Sequence, residues 1–283
     1  MKSTITSKVV SKSVSYVVLF FALLFFLIPF FILVVNAFKS NSEIVESPFS
    51  LPSQINFINF GLAMDQMNYW LSFKNSVLIT FVSLIIILLC SAMTAHYFVR
   101  SKSKGNNMWF LGMVASMIIP FQSIMIPLVS IYGAKLGWIQ SHPHLTLMFM
   151  YVGFGSSLAV FIYHGFIKSI PLELEEASYI DGCNRVQSFF LIVMPILVPT
   201  SVTIGILHVL WIWNDFLLPV LILQNSGAEN YTLPLAIQVF KGTYSSDYEK
   251  YLPTVVMVVL PIMLVYLFAQ RFIIQGVTQG SVK

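Results

Sequence analysis

Charge is what this chain has little of. Of its 283 residues, 15 are Lys or Arg and 11 are Asp or Glu, 9% together, against roughly 25% in an ordinary soluble domain. With 57% of the residues hydrophobic, too few polar side chains remain to cover a water-facing surface, and a soluble globule is excluded. Glycine (14), proline (13) and cysteine (2) are too scarce for collagen-like, low-complexity or disulfide-scaffold classes. Cys90 lies in an apolar run and Cys183 in a loop expected on the inner side, so both are read as reduced thiols. The net charge of +4 is spread over segment ends instead of being gathered on one face, which argues against a nucleic-acid partner. There is no G-x-x-x-x-G-K-[ST] phosphate loop, no soluble region large enough to hold one, and no His-Glu-x-x-His zinc motif.

What is abundant is apolar length. About 20 apolar residues cross a bilayer core, and a charge at a helix centre costs about 2.5 to 3.5 kcal/mol, so stretches free of Asp, Glu, Lys and Arg mark the spans. Six long ones occur, at 13–38, 75–99, 105–134, 136–167, 186–214 (continuing past Asp215) and 251–270. They predict an all-α polytopic membrane protein with six transmembrane helices. The first follows Lys2, Lys8 and Lys12 and imitates a signal peptide. Its apolar part outruns the roughly 7 to 15 residues of a signal core and ends without a small-x-small cleavage site, so it is expected to stay as an anchor.

The organisation expected is a cytoplasmic N-terminus (1–13), a first transmembrane helix (14–38), an extracytoplasmic loop (39–74), a five-helix core (75–275) and a cytoplasmic tail (276–283). On this plan the inner segments hold ten Lys and Arg against five outside, which favours an N-in, C-in topology. The 39–74 segment carries Pro48, Pro52 and scattered aromatics and is expected to fold back on the membrane surface. His142-Pro-His144 reads as a polar turn in preference to a metal pair, since no third ligand is near. Asn230-Tyr-Thr232 has the form of a glycosylation sequon in a match short enough for chance. His96, His164 and His208 lie at or within spans, and packing or interfacial roles are preferred to a proton relay.

One inner loop, 169–195, is out of keeping with the rest. It concentrates Glu173, Glu175, Glu176 and Asp181, four of the eleven acids. Pro171 suits a first helical turn, and acids behind it complement the positive end of the helix dipole. Helix is expected to about Ile180. Gly182 suits the left-handed residue that ends a helix, and Asn184 with Gln187 resembles a capping box that opens the next one. Leu174, Ala177 and Ile180 recur at three-residue spacing as a short apolar stripe beside the acids. Glu173 and Glu176 repel as i,i+3 neighbours unless a cationic partner meets them. The loop is therefore either a solvated amphipathic linker or a docking surface.

The spacing favours docking. From Glu176, the series Glu-Ala-Ser, three residues, Gly182, nine residues, Ile192, one residue, Met194 and Pro195 resembles the EAA signature of binding-protein-dependent ABC importers. Ser178 replaces the second Ala and Met194 the Leu of that pattern, over 20 positions with fixed gaps. Lys39 through Pro52, Met117-Ile-Ile-Pro120, Ile126-Pro127, Trp213-Asn-Asp-Phe216, Gln270-Arg-Phe and Gly276-Val-Thr-Gln-Gly280 extend the resemblance to the carbohydrate-uptake branch. There the chain is similar to the maltose-type second permease subunit.

The resemblance implies the type I ABC importer permease fold and a place in a bacterial or archaeal cell (inner) membrane. It implies half of the translocation pathway for a sugar, an oligosaccharide first, with no catalytic residue and no cofactor on this chain. Four kinds of partner are implied: a second homologous permease subunit in a heterodimer, two cytoplasmic ATPase subunits that hold ATP and Mg, an extracytoplasmic sugar-binding protein, and the lipid bilayer. Glu175, Glu176, Ala177, Ser178, Asp181, Gly182 and Pro195 are the expected ATPase-coupling residues, with Glu176 the ionic contact. Gln238, Lys241, Tyr244 and Tyr248 are expected to face the binding protein.

Asp215 is the only Asp, Glu, Lys or Arg inside a predicted span, which makes it a functional candidate. Either Trp211 and Trp213 stack on sugar faces while Asn214 and Asp215 accept hydroxyl protons, or Asn214 and Asp215 bond neighbouring backbone at a helix break before Pro219. Two rival functions stand against the importer. A self-contained secondary transporter usually shows ionisable residues in several spans and paired interrupted helices, and a membrane-embedded enzyme needs a nucleophile with its base or a metal cluster at one depth.

Overall fold

The computed structural model describes residues 2–101, 103–240 and 247–281, with side chains placed within 13–270. Helix follows helix along the chain, and there is no strand among the described residues. Among the described residues five helices are long and apolar enough to cross a membrane, or six if a bent pair is counted as one span. The chain divides into two units, Met1–Met67 with Ile237–Val259, and Asn68–Ala236 with Leu260–Lys283.

The first unit begins with α1 (Lys2–Asn36), whose apolar stretch is unburied by protein, as a lipid-facing helix should be. Two short helices, α2 (Asn41–Glu46) and α3 (Ile58–Gln66), follow it. The segment between them is held by buried polar side chains as much as by apolar ones. The Lys39 ammonium, 1% exposed, donates to the Ser47 carbonyl at 2.9 Å. The Asn36 amide donates to the carbonyls of Ile32 (2.7 Å) and Pro48 (2.8 Å), and Glu43 accepts the Ser53 N–H at 2.7 Å. Asn41 and Glu249 exchange backbone-to-side-chain bonds of 3.1 and 3.3 Å, which ties α2 to the first turn of the last helix.

The second unit is built on α4 (Tyr69–Arg100), α8 (Pro143–Ile167) and α11 (Met194–Asn214). Their shared core includes Ile79, Ile87, Leu147, Tyr163, Leu197 and Ile204. Small residues (Ser83, Ser91, Ala92, Ala95 and Ala159) are fully buried between them and let the backbones approach, as packing without a hydrophobic driving force requires. Gly155 is the closest approach: a Cβ there would sit 2.8 Å from Ile87 Cδ1 and 3.0 Å from the His208 ring. α4 starts six residues before the charge-free stretch does, since Lys74 is tolerated in its second turn.

Hydrogen bonds fix the alternation of the spans. At one end the Asn75 amide donates to the carbonyls of Glu229 (2.8 Å) and Tyr231 (3.1 Å), and His144 Nε2 lies 2.8 Å from the Asn230 carbonyl. The start of α4, the start of α8 and the 229–233 loop therefore lie together. At the opposite end, Ser101, Lys104 and Lys168 line one cleft, which joins the close of α4, the start of α5 (Lys104–Ser116) and the close of α8.

The third span is not one rod. α5 and the segment that continues as α6 (Phe121–Val129) plus a π-helical turn (Ser130–Lys135) meet at 98°. The bend falls at Pro120, which lacks the N–H that would continue the ladder and restricts Ile119 before it. A one-turn helix, α7 (Trp138–Ser141), leads into α8, whose N-cap is His142 and whose first residue is Pro143. This uses His142 and His144 in separate hydrogen bonds, to Ser141 and Asn230. The Asn230 of the sequon is likewise engaged, its amide donating to the Ser226 carbonyl at 2.6 Å.

Candidate functional site

Between α8 and α11 the chain forms α9 (Glu173–Ile180) and α10 (Arg185–Ser188). The expected punctuation is present. Gly182 has φ +89°, the Cys183 N–H donates to the Ser178 carbonyl at 2.9 Å and the Gly182 N–H to the Tyr179 carbonyl at 3.1 Å, which is the Schellman closure of a helix end. Asn184 and Gln187 form a reciprocal capping box with both bonds at 2.9 Å. Pro171 falls just outside the helix, ahead of its N-cap Leu172. After α10 comes a π-helical turn (Phe189–Val193) closed by the Met194 N–H on the Phe189 carbonyl. It absorbs the hydrogen bond that Pro195, at the head of α11, cannot make.

The faces of α9 are inverted relative to a helix that simply covers a core. Leu174, Ala177 and Ile180, the apolar stripe, point outward, and Ile180 is 87% exposed. Glu176 and Asp181 are exposed beside it. Glu175 and Ser178 turn inward instead. Ser178 Oγ lies 2.7 Å from both its own helix's Glu175 carbonyl and the Ser188 hydroxyl of α10, which locks the two short helices together. The Glu175 carboxylate, 1% exposed, accepts from Arg100 Nε at 2.8 Å and lies 2.9 Å from His96 Nε2. Of the expected coupling residues, Glu176, Ala177 and Asp181 thus lie on the open face, Gly182 and Pro195 at the joints, and Glu175 and Ser178 underneath.

The second candidate group lies at the close of α11. Asp215 ends that helix, and its carboxylate accepts from Tyr151 Oη at 2.9 Å and from the Leu217 N–H at 3.0 Å. It thereby takes up the free N–H of the first residue of α12 (Leu217–Leu223), whose N-cap is Phe216. The Asn214 amide donates to the Leu210 carbonyl. Trp213 is buried edge-on to Phe73 at 5.8 Å, and its indole N–H has no partner among the described residues. Trp211 is partly exposed and, with Phe154, Gly155 and His208, lines a cavity of about 200 Å³. A larger cleft of about 810 Å³ is lined by Ile126, Gly133, Gln140, Leu221 and Asn225, among others.

Of the residues expected to meet a binding protein, Gln238 is half-buried in a short 3₁₀ turn (Ile237–Phe240) and Tyr248 opens the last helix (Tyr248–Ser281). Lys241 and Tyr244 lie outside the described residues. His164 stacks on Phe110 with centroids 3.8 Å apart. His208, buried, has its two ring nitrogens 2.8 and 3.0 Å from the Ile204 and Gly155 carbonyls. In the sequence Arg100 is only one of the inner-segment charges, His96 only a packing or interfacial residue, and Tyr151 carries no signal; nothing local links Arg100 and His96 to Glu175 or Tyr151 to Asp215.

An all-helical chain with five candidate membrane spans, or six if the bent pair is one, has the architecture of a polytopic membrane protein. Residues 87–279 match the family model described as binding-protein-dependent transport system inner membrane component. A probable starch degradation products transport system permease of Thermoanaerobacterium thermosulfurigenes is 39% identical, covering 90% of this chain and 91% of that one. The multiple sugar-binding transport system permease of Streptococcus mutans is 33% identical, over 95% and 96%. The melibiose/raffinose/stachyose import permease of Bacillus subtilis is 32% identical, over 90% and 91%. The fold is shared with a chain of a bacterial ABC transporter that imports the acidic polysaccharide alginate, at TM-score 0.78 and 18% identity over 94% and 97% of the two chains. The chain belongs to the binding-protein-dependent transport system inner membrane component family: it is a multi-pass permease subunit of an ABC importer. As such it is a transport component, not an enzyme, and it works with a solute-binding protein and ATPase subunits.

Proposed function

We propose that this chain forms half of the translocation pathway of an ATP-driven oligosaccharide importer. It pairs with a second homologous permease, and ATP and Mg are held by two cytoplasmic ATPase subunits. The relatives named for starch products, multiple sugars and raffinose-type oligosaccharides support the substrate class. An N-in, C-in orientation places the end carrying Arg100, Lys104, Lys168, Arg185 and α9 in the cytoplasm, which follows the positive-inside rule.

The observation that carries the reading is the outward face of α9. A helix that exposes Leu174 and Ile180 while burying Glu175 has its apolar side ready for a groove on another subunit. Glu176 is the ionic contact at the rim of that groove, and Ala177 is small enough to allow close approach. The Gly182 elbow and Pro195 pass the movement to α11. ATPase closure moves the paired permeases from inward-facing to outward-facing, and hydrolysis lets them relax, because α9 docks differently in the two ATPase states.

The broken third span supports the second permease. Irregular backbone at membrane depth is tolerated only where it is buried in protein or lines a cavity, and Met117, Ile118 and Ile119 beside the break are exposed in the single chain. Trp211 is the aromatic surface placed to stack on a sugar, while Trp213, Asn214 and Asp215 hold the helix end that presents it. Gln238, Lys241, Tyr244 and Tyr248 meet the binding protein.

A cysteine at Ala177, in a complex purified with its ATPases, tests the docking. Cross-linking to the ATPase groove is expected, with a yield that changes when ATP is trapped. An Ala177→Cys chain that reacts only with soluble thiol reagents, in every nucleotide state, contradicts it. A panel of mono-, di- and oligosaccharides screened on the co-purified binding protein tests the substrate class, with binding of oligosaccharides expected.

A further inference from the structure

We propose that Glu175 is a positioning residue that clamps the coupling helix to the second span. ATPase movement then reaches α4 through an ion pair as well as α11 through the backbone. The inference rests on the assignment of α9 as the docking element and adds a route that the EAA spacing does not contain.

Covalently, α9 connects back to α8 and forward through Gly182 and α10 to α11. Its contact with α4 is made across 75 positions of sequence by side chains alone. Arg100 forks between two targets: its Nε donates to Glu175 Oε1 at 2.8 Å and its Nη2 to the Ile170 carbonyl at 3.0 Å, so one guanidinium holds both α9 and the segment that leads into it. His96, one turn earlier on the same face of α4, meets the other carboxylate oxygen at 2.9 Å. The His96 ring also packs on Phe189 of the π-helical turn, with centroids 5.2 Å apart. The ends of α4 and α8, α9, and the start of the fifth span therefore converge on a single carboxylate.

The chemistry suits transmission. A buried carboxylate is tolerated only with its partners in place, so the contact is either made or broken and does not slide. A hydrophobic contact is non-directional, whereas two oxygens fixed by an Nε–H donor and an imidazole resist both rotation and shear of α9 against α4. A leucine at this position would bury as well and hold direction less. The chain instead turns Leu174 and Ile180 outward and spends a charge inside.

The test uses the full importer, both permeases with the ATPases and the binding protein, in proteoliposomes. It compares Glu175→Gln with the paired neutral variant Glu175→Gln, Arg100→Gln. Readouts are solute moved per ATP hydrolysed, co-purified ATPase, and the unfolding temperature of the complex. For Glu175→Gln we expect solute moved per ATP to fall about tenfold, within the usual range of a coupling between sites, with the ATPases still bound. In the paired variant no uncompensated guanidinium remains, so the unfolding temperature should return toward wild type while coupling stays low. A wild-type ratio in Glu175→Gln, or coupling that recovers together with stability in the paired variant, overturns the clamp. If Glu175→Gln does not assemble, the paired variant decides. Wild-type uptake that needs no ATPase would instead remove the docking assignment beneath it, whatever the variants do.

Discussion

At Gly182 the backbone sits at φ +89°, and the space a Cβ would occupy is empty. Any loss on substitution there is therefore backbone strain, not collision. Gly182→Val should cost about 1 to 3 kcal/mol at this φ and displace the end of α9, so that uptake falls while ATP hydrolysis by the complex persists. Asparagine, which tolerates left-handed backbone, should retain most of the uptake. Equal uptake for the valine variant and wild type in the same vesicle assay would contradict this. Asp215 makes a different kind of prediction. Tyr151→Phe removes one donor from a half-buried carboxylate that keeps its Leu217 N–H, and should cost about 1 to 3 kcal/mol, read as a lower unfolding temperature of the purified complex. Gly182 and the capping box could be read from the chain because their chemistry is local. The inward turn of Glu175 could not, since its partners lie 75 and 79 positions away.

Among elements, α9 is an eight-residue helix too short to be stable alone. It is held from below by Glu175 and Ser178, which leaves its upper face free for a partner. Ile180→Glu should therefore leave the unfolding temperature of the permease unchanged, because Ile180 is 87% exposed. It should weaken ATPase association by the roughly 1.5 to 3 kcal/mol that burying such a side chain contributes, about tenfold or more in affinity. Titration of ATPase onto the reconstituted permease pair measures this, and unchanged affinity would place the docking face elsewhere. Span positions were legible from charge-free runs alone, because a membrane imposes one long apolar length per crossing. The 98° bend in the third span was not: Pro120 marks a weak point in the ladder, but the angle depends on what packs against it. Nor was the start of α4 ahead of Lys74, since the cost of a charge vanishes near a helix end.

For the whole molecule, the alternation of spans brings Arg100, Lys104 and Lys168 to the end that carries α9, and the 229–233 loop to the other. On the proposed N-in, C-in orientation, both the basic end and α9 face the ATPases. The account turns on work arriving from there. The most direct measurement is uptake into proteoliposomes that hold this chain, its partner permease and the binding protein, with and without ATPase subunits and internal ATP, under a maintained ion gradient. Oligosaccharide accumulation only when ATPases and ATP are both present is the result expected. Accumulation driven by the gradient alone would contradict it.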